Sequence, residues 1–345
     1  MGTISVMIIR PLMGAAAPLR RRALQLLLVI GLAALLGLCS EVRSVEAQEQ
    51  DPGSASHFSV VAVQFEVSED RYRSIQDFEE ALVPLLQRAV EKEGADLVVF
   101  PEYINVPALF APYAQAVREA ASLEEALREI VGDRAGPEAL PRLIAGQARG
   151  YHDRLVAMWR DLAREHDTAI AAGTFFVHSG TAGGGSPDIR NRTIVFGPTG
   201  ETIYRQDKVF LTPFEADVLR LEAGELRDAR LFSLEERELA VTICRDSYFE
   251  VWDSHLQGAD LWIDLRANGE PYGPGVRKRF LETLPDRVLG SGAQGGVNAS
   301  LTGRYLDLLW QGPSYAVDRR GDRVVESPTP QGDSLVAFHV RLPGN

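Results

Sequence analysis

The chain has 345 residues, 45% of them hydrophobic and 24% charged, and a formal net charge of −12. That length and apolar content can bury a full core, as one large or two ordinary domains. The acidic balance speaks against nucleic acid and anionic membrane surfaces as partners, since both call for a cationic footprint.

The first segment reads as an export signal. Arg20-Arg-Arg22 precedes an apolar stretch, Ala23 to Leu38, broken only by Gln25, and Val45-Glu-Ala47 fits a small-residue cleavage site. The stretch is short beside the roughly 20 residues of a membrane span, so residues 1–47 are expected to be a signal peptide. An uncleaved anchor through residues 23–38 is the alternative. Arg21-Arg22 touches on a twin-arginine signal, and Leu36-Gly-Leu-Cys39 on a lipoprotein box from which Leu38 departs. Localisation is therefore expected to be periplasmic or extracellular. If Cys39 leaves with the signal, Cys244 is the one remaining cysteine and no internal disulfide can form. A polar linker over residues 48–56 then leads to a domain expected over 57–345.

Within that domain, Phe58 to Phe65 reads as a first strand, and Ile75 to Glu93 shows apolar residues at helical spacing before Gly94. Leu97 to Phe100 is a buried strand that Pro101 stops just before Glu102, which completes a βαβ unit. Helices are expected over Ala114–Val131 and Pro141–His166, then a strand over Ala169–Val177 and a flexible loop over Gly180–Pro187. Thr193 to Phe196 turns through Gly197-Pro-Thr-Gly200 into Glu201 to Tyr204, a hairpin that delivers Lys208 and Glu215 on the following loop. A strand is expected over Ala229–Phe232. Leu239 to Ile243 is an apolar β-branched run, buried on both faces, which ends at Cys244, Arg245 and Asp246. A helix over Phe249–Gly258 and a strand over Ala259–Leu265 continue an alternation that makes the fold class α/β.

Cys244 and Glu102 both stand at the carboxyl ends of strands, where open α/β sheets bind ligands. A cysteine there is either a nucleophile or a small buried hydrophobe. Phe-Pro-Glu at Glu102, Tyr-Arg-Gln-Asp-Lys with Leu-Thr-Pro-Phe-Glu at Lys208 and Glu215, and Cys-Arg-Asp-Ser-Tyr-Phe at Cys244 resemble, in order, the motifs of the nitrilase or carbon-nitrogen hydrolase superfamily. Gly312-Pro-Ser to Gly321 is a weaker match, and the wording around Lys208 is most similar to the branch sometimes fused to an acetyltransferase. The resemblance implies a four-layer αββα sandwich, a Glu102, Lys208 and Cys244 triad with Glu215 as second glutamate, a small amide substrate, no metal or organic cofactor, and a homodimer.

Two regions depart from the family. The connection from Tyr103 to Thr168 is longer than usual, and because it leaves directly from Glu102, its first part, including Asn105, Phe110 and Tyr113, is expected over the site, with ordinary packing as the alternative. Tyr103, Asn105 and Arg245 are the candidate substrate-binding residues. Pro285-Asp-Arg-Val-Leu-Gly-Ser-Gly-Ala-Gln-Gly-Gly replaces a helical sequence usual in the family, so a helix over Lys278–Asn298 is expected to be shorter or displaced.

Competing motifs are weaker. Gly290-Ser-Gly-Ala-Gln-Gly295 fits G-x-G-x-x-G but lacks a clear strand before it and a helix after it. The six histidines show no metal-ligand spacing, and no G-x-S-x-G elbow occurs. Asn191-Arg-Thr193 and Asn298-Ala-Ser300 are glycosylation sequons. Three readings follow: a hydrolase of a small amide with nitriles less favoured, an N-acyltransferase using the same triad, and a non-catalytic exported binding module.

Overall fold

A computed structural model describes residues 57–178 and 188–341. The expected signal segment, Cys39, the linker and the Gly180–Pro187 loop lie outside the described residues. Among the described residues no helix is long and apolar enough to cross a membrane.

In chain order, β1 (His57–Val67) leads through α1 (Ile75–Glu91) to β2 (Leu97–Phe100). Ser74 caps α1 by accepting from the Asp77 N–H at 3.0 Å, and the helix buries Phe78, Leu82, Leu85, Leu86 and Ala89, the face its spacing predicts. Next come α2 (Ala114–Glu119), α3 (Leu123–Val131) and α4 (Ala139–His166). The single helix expected over Ala114–Val131 is thus two. Ser122, in extended conformation, accepts from the Glu125 N–H at 3.2 Å, while Glu125 reaches back to the Ala121 N–H at 2.8 Å. This reciprocal cap starts a new helix where propensity alone would have continued the old one.

β3 (Ala169–His178), β4 (Ile189–Phe196) and β5 (Thr202–Asp207) follow, then β6 (Phe232–Leu234) and β7 (Arg237–Ile243). β6 lies later than the strand expected over Ala229–Phe232. Glu235 and Glu236 both take positive φ, and the tight turn they make sets the register Phe232 to Leu239. After β7 come α5 (Val251–His255), β8 (Leu261–Arg266), α6 (Pro274–Ser291), β9 (Gly295–Tyr305), β10 (Leu308–Trp310), β11 (Tyr315–Asp318), β12 (Arg323–Glu326) and β13 (Ser334–Arg341).

The strands run in the order β5-β4-β3-β2-β1-β9-β8-β7-β6, with β13 added to β1 and β11 to β9. β1 and β9 pair in parallel only at Phe65–Val67 with Leu301–Gly303, so this junction divides the path into two halves that pack face to face. Alternation shows the layers directly. Val60, Ala62, Leu97 and Val99 share one cluster with Leu239, Val241, Ile263 and Val297, the filling between the halves. Val61, Val63, Val98 and Phe100 point the other way, onto α1 and α4, while Ala240 and Trp262 face α5 and α6. Period-two side chains packed on both faces give helix, sheet, sheet, helix: the αββα sandwich.

In the region expected to hold a shorter or displaced helix, α6 is an 18-residue helix that starts before Lys278, runs through Pro285 and ends before Asn298. Pro274 starts it, Gly292 ends it in the left-handed conformation, and burial of Phe280, Leu284 and Val288 offsets the hydrogen bond that Pro285 forfeits. The glycine pattern is settled by the same elements: Gly290 closes a helix and Gly295 opens a strand, the reverse of the strand-to-helix order that holds a phosphate.

Candidate active site

Three chain turns meet at one end of the sandwich. β2 stops at Phe100, and Pro101 carries the chain into Glu102, which is buried. Tyr103 follows with φ 63°, and its N–H donates to Thr174 Oγ1 at 2.9 Å. Gly173, φ 63°, makes room for this turn, since a Cβ there would overlap the Pro101 carbonyl and the Ile104 side chain. β7 likewise stops at Ile243, and Cys244 takes φ 51°, a left-handed geometry rarely adopted by a side-chain-bearing residue. This sharp turn lifts the thiol out of the strand.

Lys208 leaves the end of β5, its backbone N–H donating to the Asn191 carbonyl at 2.8 Å. Its ammonium is buried and sits 2.7 Å from Glu102 Oε1 and 2.7 Å from Glu215 Oε2. Glu215, also buried, accepts at Oε2 from the Thr212 N–H at 2.8 Å and the Thr212 hydroxyl at 2.9 Å. Asn191 completes the cluster by donating through Nδ2 to Glu102 Oε1 and Glu215 Oε1, each at 3.0 Å.

These environments separate the acids. Burial pushes the Glu102 carboxyl up to about 7, against the opposing pull of Lys208. Burial also acts to raise Glu215, but Lys208 and the donors from Tyr103 and Thr212 outweigh it and hold that carboxyl below its ordinary value. Burial would lower the Lys208 ammonium, yet the charges of Glu102, Cys244 and Glu215 raise it, so the amine stays protonated. The Cys244 thiol is pushed up to about 12 by burial and by Glu102, with Lys208 and Arg266 opposing. The resting pair is therefore a neutral thiol beside a carboxyl group that titrates near neutrality.

Glu102, Lys208 and Cys244 all line one cavity of about 800 Å³, together with Tyr103 and Arg245. Arg245 lies at its wall with the guanidinium 6.0 Å from the centre of the Phe249 ring. Asn105 does not belong there. It is buried, its amide donates to the Ala172 carbonyl at 2.8 Å and the Thr174 carbonyl at 3.2 Å, and its Oδ1 accepts from Trp159 Nε1 at 2.7 Å. Its hydrogen bonds tie the long connection to β3, so the expectation of a substrate contact is corrected to an anchor. Phe110 is buried in the apolar layer, and the Tyr113 hydroxyl accepts from Gln147 on α4 at 3.0 Å.

Sequence reasoning missed three polar partners. In the sequence Asn191 stands out only as part of a sequon, although an asparagine inside a strand is a poor β-former and so itself a signal. Asp246 is buried and accepts at Oδ1 from the N–H groups of Val209 (3.2 Å) and Phe210 (2.8 Å), and at Oδ2 from the Ile243 N–H (3.3 Å). One carboxylate thereby pins the lysine loop to the cysteine turn. Arg266 ends β8, whose Leu265 pairs with Ile243, so it stands one step past the strand end beside Cys244. It is buried against Asp264 at 2.5 Å and also bonded to Thr283. Its strand-end position could have singled it out. Among the described residues no His, Cys, Asp and Glu group could hold a metal ion.

Comparison with known proteins agrees with this architecture. No curated protein is significantly similar in sequence. Solved structures of similar fold include a carbon-nitrogen hydrolase from Helicobacter pylori G27, with 14% identity over 82% of this chain and 89% of that one at a TM-score of 0.58. Nit3 of Saccharomyces cerevisiae, a member of branch 10 of the nitrilase superfamily, has 18% identity over 84% and 93% with a TM-score of 0.58. An amidase from Nesterenkonia sp. has 20% identity over 84% and 92% with a TM-score of 0.57. A family model, Carbon-nitrogen hydrolase, matches residues 60–276. That match covers more than half of the sequence and spans Glu102, Lys208, Glu215 and Cys244. With a nitrilase-type sandwich beneath it, the chain belongs to the carbon-nitrogen hydrolase family.

Proposed function

We propose that the chain hydrolyses the carbon–nitrogen bond of a small amide through a thioester on Cys244. The observation that carries this reading is the placement of a neutral thiol, a carboxyl group titrating near 7 and a protonated amine on the wall of one cavity. The amidase among the similar folds favours an amide over a nitrile.

In this reading Glu102, ionised, takes the Cys244 proton as the sulfur bonds to the amide carbonyl carbon. The carbonyl oxygen becomes an oxyanion, held by the Lys208 ammonium and the Arg245 backbone N–H. Glu102 then gives its proton to the leaving nitrogen, the carbon–nitrogen bond breaks, and ammonia or an amine departs. A water molecule that loses its proton to Glu102 attacks the thioester, and the acid leaves as the sulfur regains that proton. Glu215 stays ionised and fixes Lys208 as a donor, and Asn191 keeps the two glutamates apart. The size of the cavity also leaves space for an amine acceptor in place of water, which would make the same thioester a step in acyl transfer.

The test is ammonia release from a panel of simple amides by the wild type and by Cys244→Ala. A fall of at least about 10³-fold is expected, as for removal of a nucleophile in other covalent enzymes. Undiminished turnover in the variant would overturn the reading, and new amide products on adding an amine would indicate transfer.

A further inference from the structure

We propose that Arg266 is a positioning residue for the nucleophile, a second fixed cation beside Cys244 that stabilises the sulfur once Glu102 has taken its proton. This rests on the reading of Cys244 as the nucleophile and is independent of which amide is cleaved. β7 and β8 run in parallel with Ile243 opposite Leu265, so the next residues, Cys244 and Arg266, are neighbours across the two strand ends. Both line the catalytic cavity. Leu265 belongs to the layer between the sheets, and by alternation Asp264 and Arg266 point the other way, toward α6.

The guanidinium is held from several sides. It is 1% exposed, its Nε donates to Asp264 Oδ2 at 2.5 Å, and its Nη2 donates to Thr283 on α6. Its central carbon lies 4.7 Å from the centre of the Phe280 ring and 5.5 Å from that of Tyr248. Asp264 also accepts at Oδ1 from the Ser247 hydroxyl at 2.6 Å, and Ser247 belongs to the Cys244–Tyr248 turn. One carboxylate therefore fixes both the guanidinium and the turn that carries the thiol. A buried charge is poorly screened, so it acts on a neighbouring sulfur more strongly than a surface arginine does. Lys208 already lies 2.7 Å from each of two carboxylates, which leaves it ill placed to neutralise a third negative charge alone. Burial and Glu102 oppose ionisation of the thiol, while Lys208 and Arg266 favour it.

The experiment follows the reaction of Cys244 in the full chain with methyl methanethiosulfonate at about pH 8, read on the Cys244 peptide by mass spectrometry. The reagent is small, uncharged and free of any amide, so its rate reports the thiolate, not attraction to the guanidinium or turnover. Arg266→Met is expected to lower the rate at least about tenfold, and Arg266→Lys, which keeps the charge, to stay within about threefold of wild type. Asp264→Asn should raise the rate about threefold, because asparagine still accepts from Arg266 and Ser247 but no longer opposes the cation. Opposite signs at the two positions mark an electrostatic role, since loss of packing would move both the same way. If Arg266→Met does not fold because Asp264 is left buried without its partner, Arg266→Met combined with Asp264→Asn removes both charges and should react about threefold more slowly than wild type. An unchanged rate in the arginine variant that folds, or an unchanged or slower rate in Asp264→Asn, would overturn the assignment. The expected pattern in a protein that releases no ammonia from any amide would refute hydrolysis and leave Arg266 its role. Failure of Cys244 to react in every variant would overturn both.

Discussion

Asn191 donates to Glu102 and Glu215 at equal distance and Lys208 stands between the same two carboxylates, so it is the further donors from Tyr103 and Thr212 that hold Glu215 ionised and leave Glu102 as the one able to exchange a proton. In the proposed mechanism Glu102 must be ionised to accept the thiol proton, and since burial has raised it to about 7, kcat/KM should fall about tenfold per pH unit below neutrality. A flat profile between pH 5 and 7 would show that another group is the base. A hydrogen bond donated to a carboxylate stabilises its charged form, so Asn191→Ala should move this acid limb to higher pH and lower kcat about ten- to a hundredfold. The shift in the limb separates loss of that donor from simple damage to the fold.

At the scale of elements, the turns after β2 and β7 are held in unusual conformations by partners distant in sequence. Tyr103 and Cys244 both have positive φ, and each such residue costs on the order of 1–3 kcal/mol unless its surroundings enforce it. For Cys244 the enforcing group is Asp246, whose three N–H donors come from the turn itself and from the lysine loop. Asp246→Ala leaves those buried donors unsatisfied, and a loss of about 2–4 kcal/mol in denaturant titration is expected, with activity falling alongside. For the glutamate turn the enabling residue is Gly173. Gly173→Ala should destabilise and reduce kcat together, because the added methyl meets the Pro101 carbonyl next to Glu102. Full stability and full activity in that variant would mean that the turn does not need the close approach.

Over the whole molecule, the layer between the two halves of the sheet determines where the strand ends meet. Ile263 is fully buried there, and Ile263→Ala should cost about 2–5 kcal/mol, whereas Val324→Ala, at a residue 52% exposed, should stay within about 0.5 kcal/mol. Equal effects at both positions would contradict the four-layer packing. Much of this architecture was legible beforehand. The apolar runs at Leu97–Phe100 and Leu239–Ile243, the first stopped by Pro101 and the second by the charges of Arg245 and Asp246 just past Cys244, mark β2 and β7 and place Glu102 and Cys244 just beyond them. These are local patterns, and backbone hydrogen bonding with period-two side chains is enough to produce them. The break between α2 and α3 was also written locally, in Ser122 and Glu125, but competed with strong helix formers on both sides.

What the amino-acid order determined by itself is the class of layers, the strand ends and the succession of glutamate, lysine and cysteine. Only the tertiary structure decided that Asn191 spans two carboxylates, that Asp246 joins the lysine loop to the cysteine turn, that Asn105 ties the long connection to β3 instead of lining the cavity, and that α6 persists through Pro285. The physical reason is common to all four. A polar side chain carries no periodicity that announces its partner, and a proline's local cost is offset by burial against strands far along the chain, so these outcomes exist only once distant segments have packed.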